Sequence, residues 1–202
     1  MDLGDWDSPP VINHRLICIS GYKQSKAQPT GLEKLWLKLR VHESPQCRTS
    51  YMTWDADWPS FAEHMMRTGP TDPKQMKICV FAYSWGCGHG ALDLFEQCRH
   101  RGLTIESAVL ADPVYHKWWA PWRALFSPIV TPTIVIPDNV QNLWYTLQRE
   151  NKPAGHECVL AIGNKVTKIN EPVMSKRTHT YMDEDPLFQD KCLEVADASF
   201  AA

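Results

Sequence analysis

The sequence has no run of about 18 consecutive apolar residues, which is the length that a membrane-spanning helix needs. Its first residues, MDLGDWDSPP, lack the basic and apolar regions of a secretory signal peptide. We therefore expect no transmembrane segment and a cytoplasmic location. The 21 Lys and Arg residues nearly balance the 23 Asp and Glu residues and form no basic cluster, so we expect no nucleic-acid partner.

The chain also lacks internal repeats, low-complexity tracts and a convincing linker. Its 202 residues, 44% of them hydrophobic and 22% charged, match an ordinary globule, so we expect one domain over residues 1–202. The seven cysteines are an odd number, and several lie inside apolar runs where a free cysteine behaves as a small hydrophobic residue. Reduced thiols are therefore expected.

Apolar runs typical of strands alternate with segments that have helical spacing. Three strand and helix pairs are predicted first, over residues 15–22 and 30–43, 48–55 and 58–69, and 75–83 and 91–102. Further strands are expected at 106–112, 132–137 and 156–162, with a helix start at Pro137-Asp138-Asn139, a polar loop at 163–184 and a last helix at 186–200. This alternation predicts an α/β fold with a mostly parallel sheet of about five to six strands, helices on both faces, and ligand sites at the carboxyl ends of the strands.

The stretch ICVFAYSWGCGHGALDLF, residues 78–95, places Ser84 directly between a buried strand and a helix. It is close to the G-x-S-x-G nucleophile elbow, with Ala82 at the first small position and Gly86 at the second. Small residues suit this tight turn because larger side chains would collide with the neighbouring strand and helix. The elbow would expose the serine hydroxyl and point the backbone N–H of Trp85 at a developing oxyanion.

A serine needs a base, and the base needs an acid that orients it. Of the eight histidines, His179 is best placed, because it lies in a loop that follows the last strand. His89 is predicted to line the pocket, His64 lies on a predicted helix, and His14, His42, His100 and His156 are interpreted as surface residues at element ends.

Two aspartates at strand ends are candidates for the acid. Asp112, in VLADPV, ends the strand that follows the nucleophile's helix, and Pro113 turns the chain away from the sheet. Asp138, in IVIPDN, ends the next strand, but it also fits a helix cap. Asp112 is favoured, and Asp138 remains the alternative.

These residues resemble the α/β-hydrolase superfamily over about residues 15 to 200. The order of serine, acid and histidine is that of the superfamily, HTYMDEDP looks like the histidine loop of its esterase-like and lipase-like members, and LADPV is similar to the strand end that supplies the acid in some lipases. The departures are Ala82 and the absence of an HGGG-type oxyanion loop, in whose place stands Ser20-Gly21-Tyr22-Lys23. The chain is also short for the superfamily.

The resemblance implies a serine esterase or lipase-like hydrolase that acts on a small-molecule ester through an acyl-enzyme and uses no cofactor. Ser84 would be the nucleophile, His179 the base and Asp112 the orienting acid. The oxyanion would be held by the backbone N–H of Trp85 and that of Tyr22 or Lys23.

A rival interpretation rests on Gly86, Gly88 and Ala91, which fit the dinucleotide pattern G-x-G-x-x-G/A, with Asp112 about 20 residues later. It predicts a nucleotide-binding oxidoreductase, although two strand and helix pairs precede the motif and it explains neither Ser84 nor His179. A third possibility is a hydrolase-fold binding protein without catalysis. Cys87 and His89 have no second pair at ligand spacing, so no metal site is expected.

The segment 113–130 is too rich in Trp and Pro for a plain connection. One interpretation is buried packing. The other is a small cap over the site, whose Trp118, Trp119, Trp122, Leu125 and Phe126 would form an apolar wall for an acyl or aromatic group.

Overall fold

The protein is described from a computed structural model, which covers residues 10–22, 30–115 and 133–201. Its helices are α1 (Gly31–Leu39), α2 (Trp58–Thr68), α3 (Leu92–His100) and α4 (Pro186–Ala201). Its strands are β1 (His14–Ser20), β2 (Cys47–Thr53), β3 (Lys77–Tyr83), β4 (Ile105–Ala111), β5 (Ile134–Ile136), β6 (Val140–Gln148), β7 (Cys158–Leu160), β8 (Lys168–Ile169) and β9 (Val173–Ser175). The predicted α/β class is confirmed.

Seven strands form one sheet in the order β2-β1-β3-β4-β6, with β8 and β9 both paired to β6. Every strand pair in this sheet is parallel. The register aligns Tyr83 of β3 with Ala111 of β4, and Ala111 with Thr146 of β6. As a result, the residues that follow β3 and β4 meet at the carboxyl edge of the sheet.

Helices cover both faces of the sheet. Residues of α2 and α3, among them Met65, Leu94 and Phe95, pack in the core on one face. Leu32 and Leu35 of α1 pack with Phe188 of α4 in the core on the other face. The chain runs from β1 outward to β2 and then returns to β3 on the other side of β1, so a topological switch point lies between β1 and β3. Ligands of such sheets bind at the carboxyl ends beside the switch point.

Local sequence explains where the first helices begin. The Thr30 hydroxyl accepts a hydrogen bond from the Glu33 N–H at 3.2 Å and caps α1. A carboxylate oxygen of Asp57 accepts from the Ser60 N–H at 3.1 Å and caps α2, in which Pro59 stands where a missing N–H costs nothing. Within the described ranges, no helix is long and apolar enough to cross a membrane.

The end of the chain differs from the prediction in three ways. No helix begins at Asp138, because residues 140 to 148 form β6. Leu143, Tyr145 and Leu147 of β6 join one core while Trp144 packs against the other, and such two-sided burial favours a strand. The predicted strands at 132–137 and 156–162 form a separate parallel pair, β5 and β7, while the predicted polar loop contributes β8 and β9 to the main sheet. Within the described residues, the sheet thus has seven strands rather than the predicted five to six.

Candidate active site

Ser84 occupies a strained turn directly after β3. Its φ angle is +57°, in the left-handed region, and the residue is buried. Its N–H donates to the Ala111 carbonyl at 2.9 Å, and its own carbonyl accepts from the N–H groups of Cys87 at 3.0 Å and Val114 at 3.1 Å. These hydrogen bonds hold the turn to β4 and to the segment that follows β4. They offset the free-energy cost of the left-handed conformation at Ser84.

The small residues around Ser84 are explained by close packing. A Cβ atom at Gly86 would clash with the carbonyl oxygens of Ile19 and Ser20, and one at Gly88 would clash with the Val114 carbonyl. Ala82 is fully buried beneath the turn. Because Gly86 and Gly88 face protein backbone, their packing accounts for both glycines of the dinucleotide pattern without a bound phosphate.

The structure brings Ser84, His179 and Asp112 into one hydrogen-bonded chain. The Ser84 Oγ lies 2.8 Å from the His179 Nε2, and the His179 Nδ1 lies 2.5 Å from the Asp112 Oδ2. A carboxylate only accepts, so Nδ1 carries the proton. The Nε2 of the neutral ring is then the acceptor for the serine hydroxyl, which is the arrangement that proton abstraction from serine requires.

Asp112 follows β4 directly, in a left-handed conformation with a φ angle of +44°, and is fully buried. Its Oδ1 accepts from the backbone N–H groups of Gln148 at 3.2 Å and Gly155 at 2.9 Å. Its Oδ2 accepts from the Gln148 Nε2 at 2.9 Å in addition to His179. Four donors thus surround this carboxylate, which is what a buried charge requires.

His179 begins a short 3₁₀ turn, His179–Glu184, that follows β9. Its N–H donates to the Asn151 Oδ1 at 2.7 Å, and its carbonyl accepts from the Tyr83 hydroxyl at 2.8 Å. Burial, together with the nearby Asp183 carboxylate, raises the pKa of Tyr83, so the phenol stays protonated as a donor. The His179 side chain is 12% exposed, so solvent reaches it more easily than it reaches Ser84 or Asp112.

Gln148 and Asn151 link the acid to the histidine loop, although no sequence pattern predicted this role for them. The Gln148 Oε1 accepts from the Asn151 N–H at 3.0 Å, and its Nε2 donates to Asp112 and to the Pro153 carbonyl at 2.9 Å. Asn151 in turn holds the backbone of His179. Gln148 is the last residue of β6 and lies one residue beyond the position level with Asp112, so only the strand register could have indicated its role.

His156 does not lie on the surface as predicted. It is buried; its N–H donates to the Pro113 carbonyl at 2.7 Å, and its Nδ1 accepts from the Tyr115 N–H at 3.0 Å. Burial lowers the pKa of His156 to about 4, and the Arg149 charge adds to this effect while Asp112 opposes it. His156, whose ring is neutral, therefore holds the backbone of Pro113 and Tyr115, the segment that follows Asp112.

Asp138, the alternative acid, is exposed and immediately precedes Asn139 and the amino end of β6. This end lies at the edge of the parallel sheet opposite to Ser84, since Val140 is level with Ile105 at the start of β4. Asp138 therefore does not reach His179.

Five aromatic side chains, which we call the aromatic cluster, lie beside Ser84 at the carboxyl edge of the sheet. They are Tyr22, Trp54, Trp85, His89 and Tyr115. The sequence patterns indicate only the backbone of Trp85 and Tyr22 and the position of His89. Trp54 and Tyr115 were not predicted; Trp54 directly follows β2, whereas Tyr115 lies four residues beyond the end of β4.

The predicted cap residues Trp118, Trp119, Trp122, Leu125 and Phe126, and the alternative oxyanion donor Lys23, lie outside the described residues. All seven cysteines are buried and free, as expected. Burial raises the pKa of Cys79 and Cys98 to about 12, so these thiols stay protonated and unreactive.

No protein-family model matches the chain, and no curated protein matches its sequence significantly.

Proposed function

We propose that this protein is a serine hydrolase that cleaves a carboxylic ester through an acyl-enzyme intermediate, as a carboxylesterase or lipase-like enzyme with a small α/β-hydrolase fold. The observation that carries the proposal is the chain of two short hydrogen bonds from Ser84 through His179 to Asp112. Nucleophile, base and orienting acid stand in the order that acyl transfer to serine uses.

In the acylation step, the Ser84 Oγ bonds to the ester carbonyl carbon while its proton moves to the His179 Nε2. The bond from this carbon to the alcohol oxygen then breaks, and the alcohol leaves with the proton from Nε2. In deacylation, a water molecule gives its proton to Nε2 and attacks the acyl carbon. Ser84 leaves and recovers the proton, so that ester and water become acid and alcohol.

Asp112 acts through His179 as a positioning residue. Its buried carboxylate holds the proton on Nδ1, keeps Nε2 aimed at Ser84 and stabilises the imidazolium that forms in both steps. Because the other three donors to Asp112 come from Gln148 and Gly155, the carboxylate keeps its place when the charge on the ring changes.

The oxyanion would be bound by the backbone N–H groups of Trp85 and Tyr22. Trp85 follows Ser84 in the chain, as an elbow donor does. The segment after β1 passes close to the nucleophile, since a Cβ built on Gly21 would lie 3.0 Å from the Ser84 Cβ. Both N–H groups therefore belong to segments that adjoin the reacting hydroxyl.

A cap formed by residues 113–130 would supply an apolar wall for the substrate.

The test is covalent labelling by a fluorophosphonate, which requires an activated serine but no particular substrate. Trypsin releases residues 78–99 as one peptide whose only serine is Ser84, so mass spectrometry locates the adduct. We expect labelling of this peptide and hydrolysis of p-nitrophenyl acetate, both abolished in Ser84→Ala.

The matched control is Ser107→Ala, since Ser107 is also a buried serine but lies within β4, away from the site. This variant should retain labelling and turnover. An adduct on another peptide, or labelling that persists in Ser84→Ala, would place the nucleophile elsewhere. A folded protein that neither reacts with the probe nor cleaves esters would refute the proposal.

A further inference from the structure

The rings of the aromatic cluster follow four neighbouring strands of the sheet. Trp54 follows β2, Tyr22 follows β1, Trp85 and His89 follow β3, and Tyr115 follows β4. In spatial order these strands are β2, β1, β3 and β4. The rings thus form a row along the carboxyl edge, on both sides of the switch point where a ligand is expected.

Consecutive rings in this row touch. The Trp85 ring centroid lies 4.9 Å from that of Tyr22, 5.2 Å from that of Trp54 and 4.9 Å from that of His89. His89 stacks on Tyr115 with a centroid distance of 5.0 Å and an interplanar angle of 24°. Trp54 meets Trp85 edge-on, with an interplanar angle of 89°, so the row is a continuous aromatic surface that presents both ring faces and ring edges.

Packing against the domain cores explains Tyr115, which lies against one of them, but not the rest of this surface. Among the described residues, Tyr22, Trp54 and Trp85 belong to neither of the two buried clusters that flank the sheet. Tyr22 is 41% exposed, and Trp54 and Trp85 are only half-buried. Large rings that contribute to no core and adjoin the proposed nucleophile are typical of the apolar lining of a substrate site.

We propose that the aromatic cluster binds an uncharged aromatic ring of the substrate, so that the ester cleaved at Ser84 is an aryl-bearing ester. This inference rests on the proposed function, because it assigns the substrate class of the same site. Four of the five side chains of the cluster are Tyr or Trp, and a continuous surface of rings suits a flat ring, which gains edge-to-face and offset stacking beyond the burial of its area. A quaternary ammonium would also be attracted to ring faces, so the test includes a cationic ester as the competing outcome.

The first arm of the test uses pairs of esters that differ only in ring character. Methyl phenylacetate is compared with methyl cyclohexylacetate, and benzyl acetate with cyclohexylmethyl acetate, so that the ring lies on the acyl side or on the alcohol side. We expect the phenyl member of one pair to have a kcat/KM about 2- to 10-fold higher. Trp54→Leu should reduce that ratio to about one, because it keeps apolar area at the cluster but removes a ring.

The matched control is Trp36→Leu. Trp36 is also a partly buried tryptophan that packs on a tyrosine, Tyr51, but it lies on α1 against the opposite core. This control should keep the full phenyl preference. Equal kcat/KM values within both pairs, or a preference that survives in Trp54→Leu, would overturn the inference and leave the serine hydrolase intact. Cleavage of acetylcholine faster than its uncharged analogue 3,3-dimethylbutyl acetate would also overturn it, in favour of a cation site.

A second arm does not depend on hydrolysis. Saturation-transfer NMR on Ser84→Ala compares phenylacetamide with cyclohexylacetamide, with and without Trp54→Leu. Tighter binding of phenylacetamide that is lost with Trp54 supports the inference even if no ester is cleaved, in which case the proposed function alone fails. Equal binding of the two amides, or no binding of either, contradicts the inference.

Discussion

Replacement of Asp112 by asparagine tests the proposed role of the acid most directly, because the four hydrogen-bonding groups that the described residues bring to its carboxylate are all donors. Oδ1 accepts from two backbone N–H groups, while Oδ2 accepts from the Gln148 amide and His179. An amide places its NH₂ group against two donors in either orientation. Each buried donor that loses its acceptor costs about 1 to 3 kcal/mol.

The structure favours one of these two orientations. On the Oδ2 side, His179 can move its proton to Nε2 and accept from the new NH₂ group at Nδ1, whereas the two backbone N–H groups at Oδ1 have no such choice. The Gln148 amide has other acceptors in the carbonyls of Asn151 and Pro153. We therefore expect a stability loss of only about 1 to 3 kcal/mol, with the histidine held in the wrong tautomer.

That tautomer presents an N–H to Ser84 and cannot take its proton. In a serine triad the corresponding change lowers kcat by about 10⁴-fold, which equals about 5.5 kcal/mol of activation free energy. The assay is kcat toward p-nitrophenyl acetate, with urea unfolding to report stability separately. Loss of turnover in a protein that remains folded is the expected result.

Asp138→Asn is the control, since Asp138 is exposed at the opposite edge of the sheet and caps no helix. It should change neither kcat nor the urea midpoint appreciably. Asp112→Asn with more than about 1% of the wild-type kcat, against the 10⁴-fold loss expected for a triad acid, would refute the proposed role. A larger effect of Asp138→Asn than of Asp112→Asn would contradict the site geometry itself.

Three further predictions concern the surroundings of the site. His156 has a pKa of about 4 in the folded protein against an ordinary 6.5, so the unfolded chain binds the extra proton first as pH falls. The wild type should lose up to about 3 kcal/mol of unfolding free energy between pH 6.5 and 4. In urea titrations, His156→Asn should lose less unfolding free energy than the wild type over that pH range. Equal losses in the two proteins would contradict the role given to His156. Gly86→Ala should cost about 1 to 3 kcal/mol in urea unfolding and lower turnover, because its Cβ would clash with the carbonyls of Ile19 and Ser20 at the end of β1. Unchanged stability would contradict the packing argument. If the segment 113–130 covers an acyl chain, Trp119→Ala should flatten the rise in affinity with chain length, which is up to about 0.8 kcal/mol per buried CH₂. Equal losses of activity on p-nitrophenyl esters of all chain lengths, together with a lower Tm, would show that the segment serves core packing instead.

The sequence by itself was enough to determine the α/β class and the first four strands of the sheet. Their apolar runs are bounded by turn and capping residues such as Thr30 and Asp57, and these signals are local. It also selected Ser84, His179 and Asp112 as candidates, because a serine between small residues and polar residues after buried strands are visible in the order of the chain alone.

Only the tertiary structure decided which of the candidates meet. Residues 140 to 148 became a strand through burial on both faces, and that strand brings Gln148 into hydrogen-bond contact with Asp112 while it leaves Asp138 at the opposite edge. His179 lies 95 residues from Ser84 in the chain, and Trp54 lies 31 residues before Trp85. Such contacts depend on strand order and register, which arise when distant segments pair and pack, so no local pattern in the sequence encodes them.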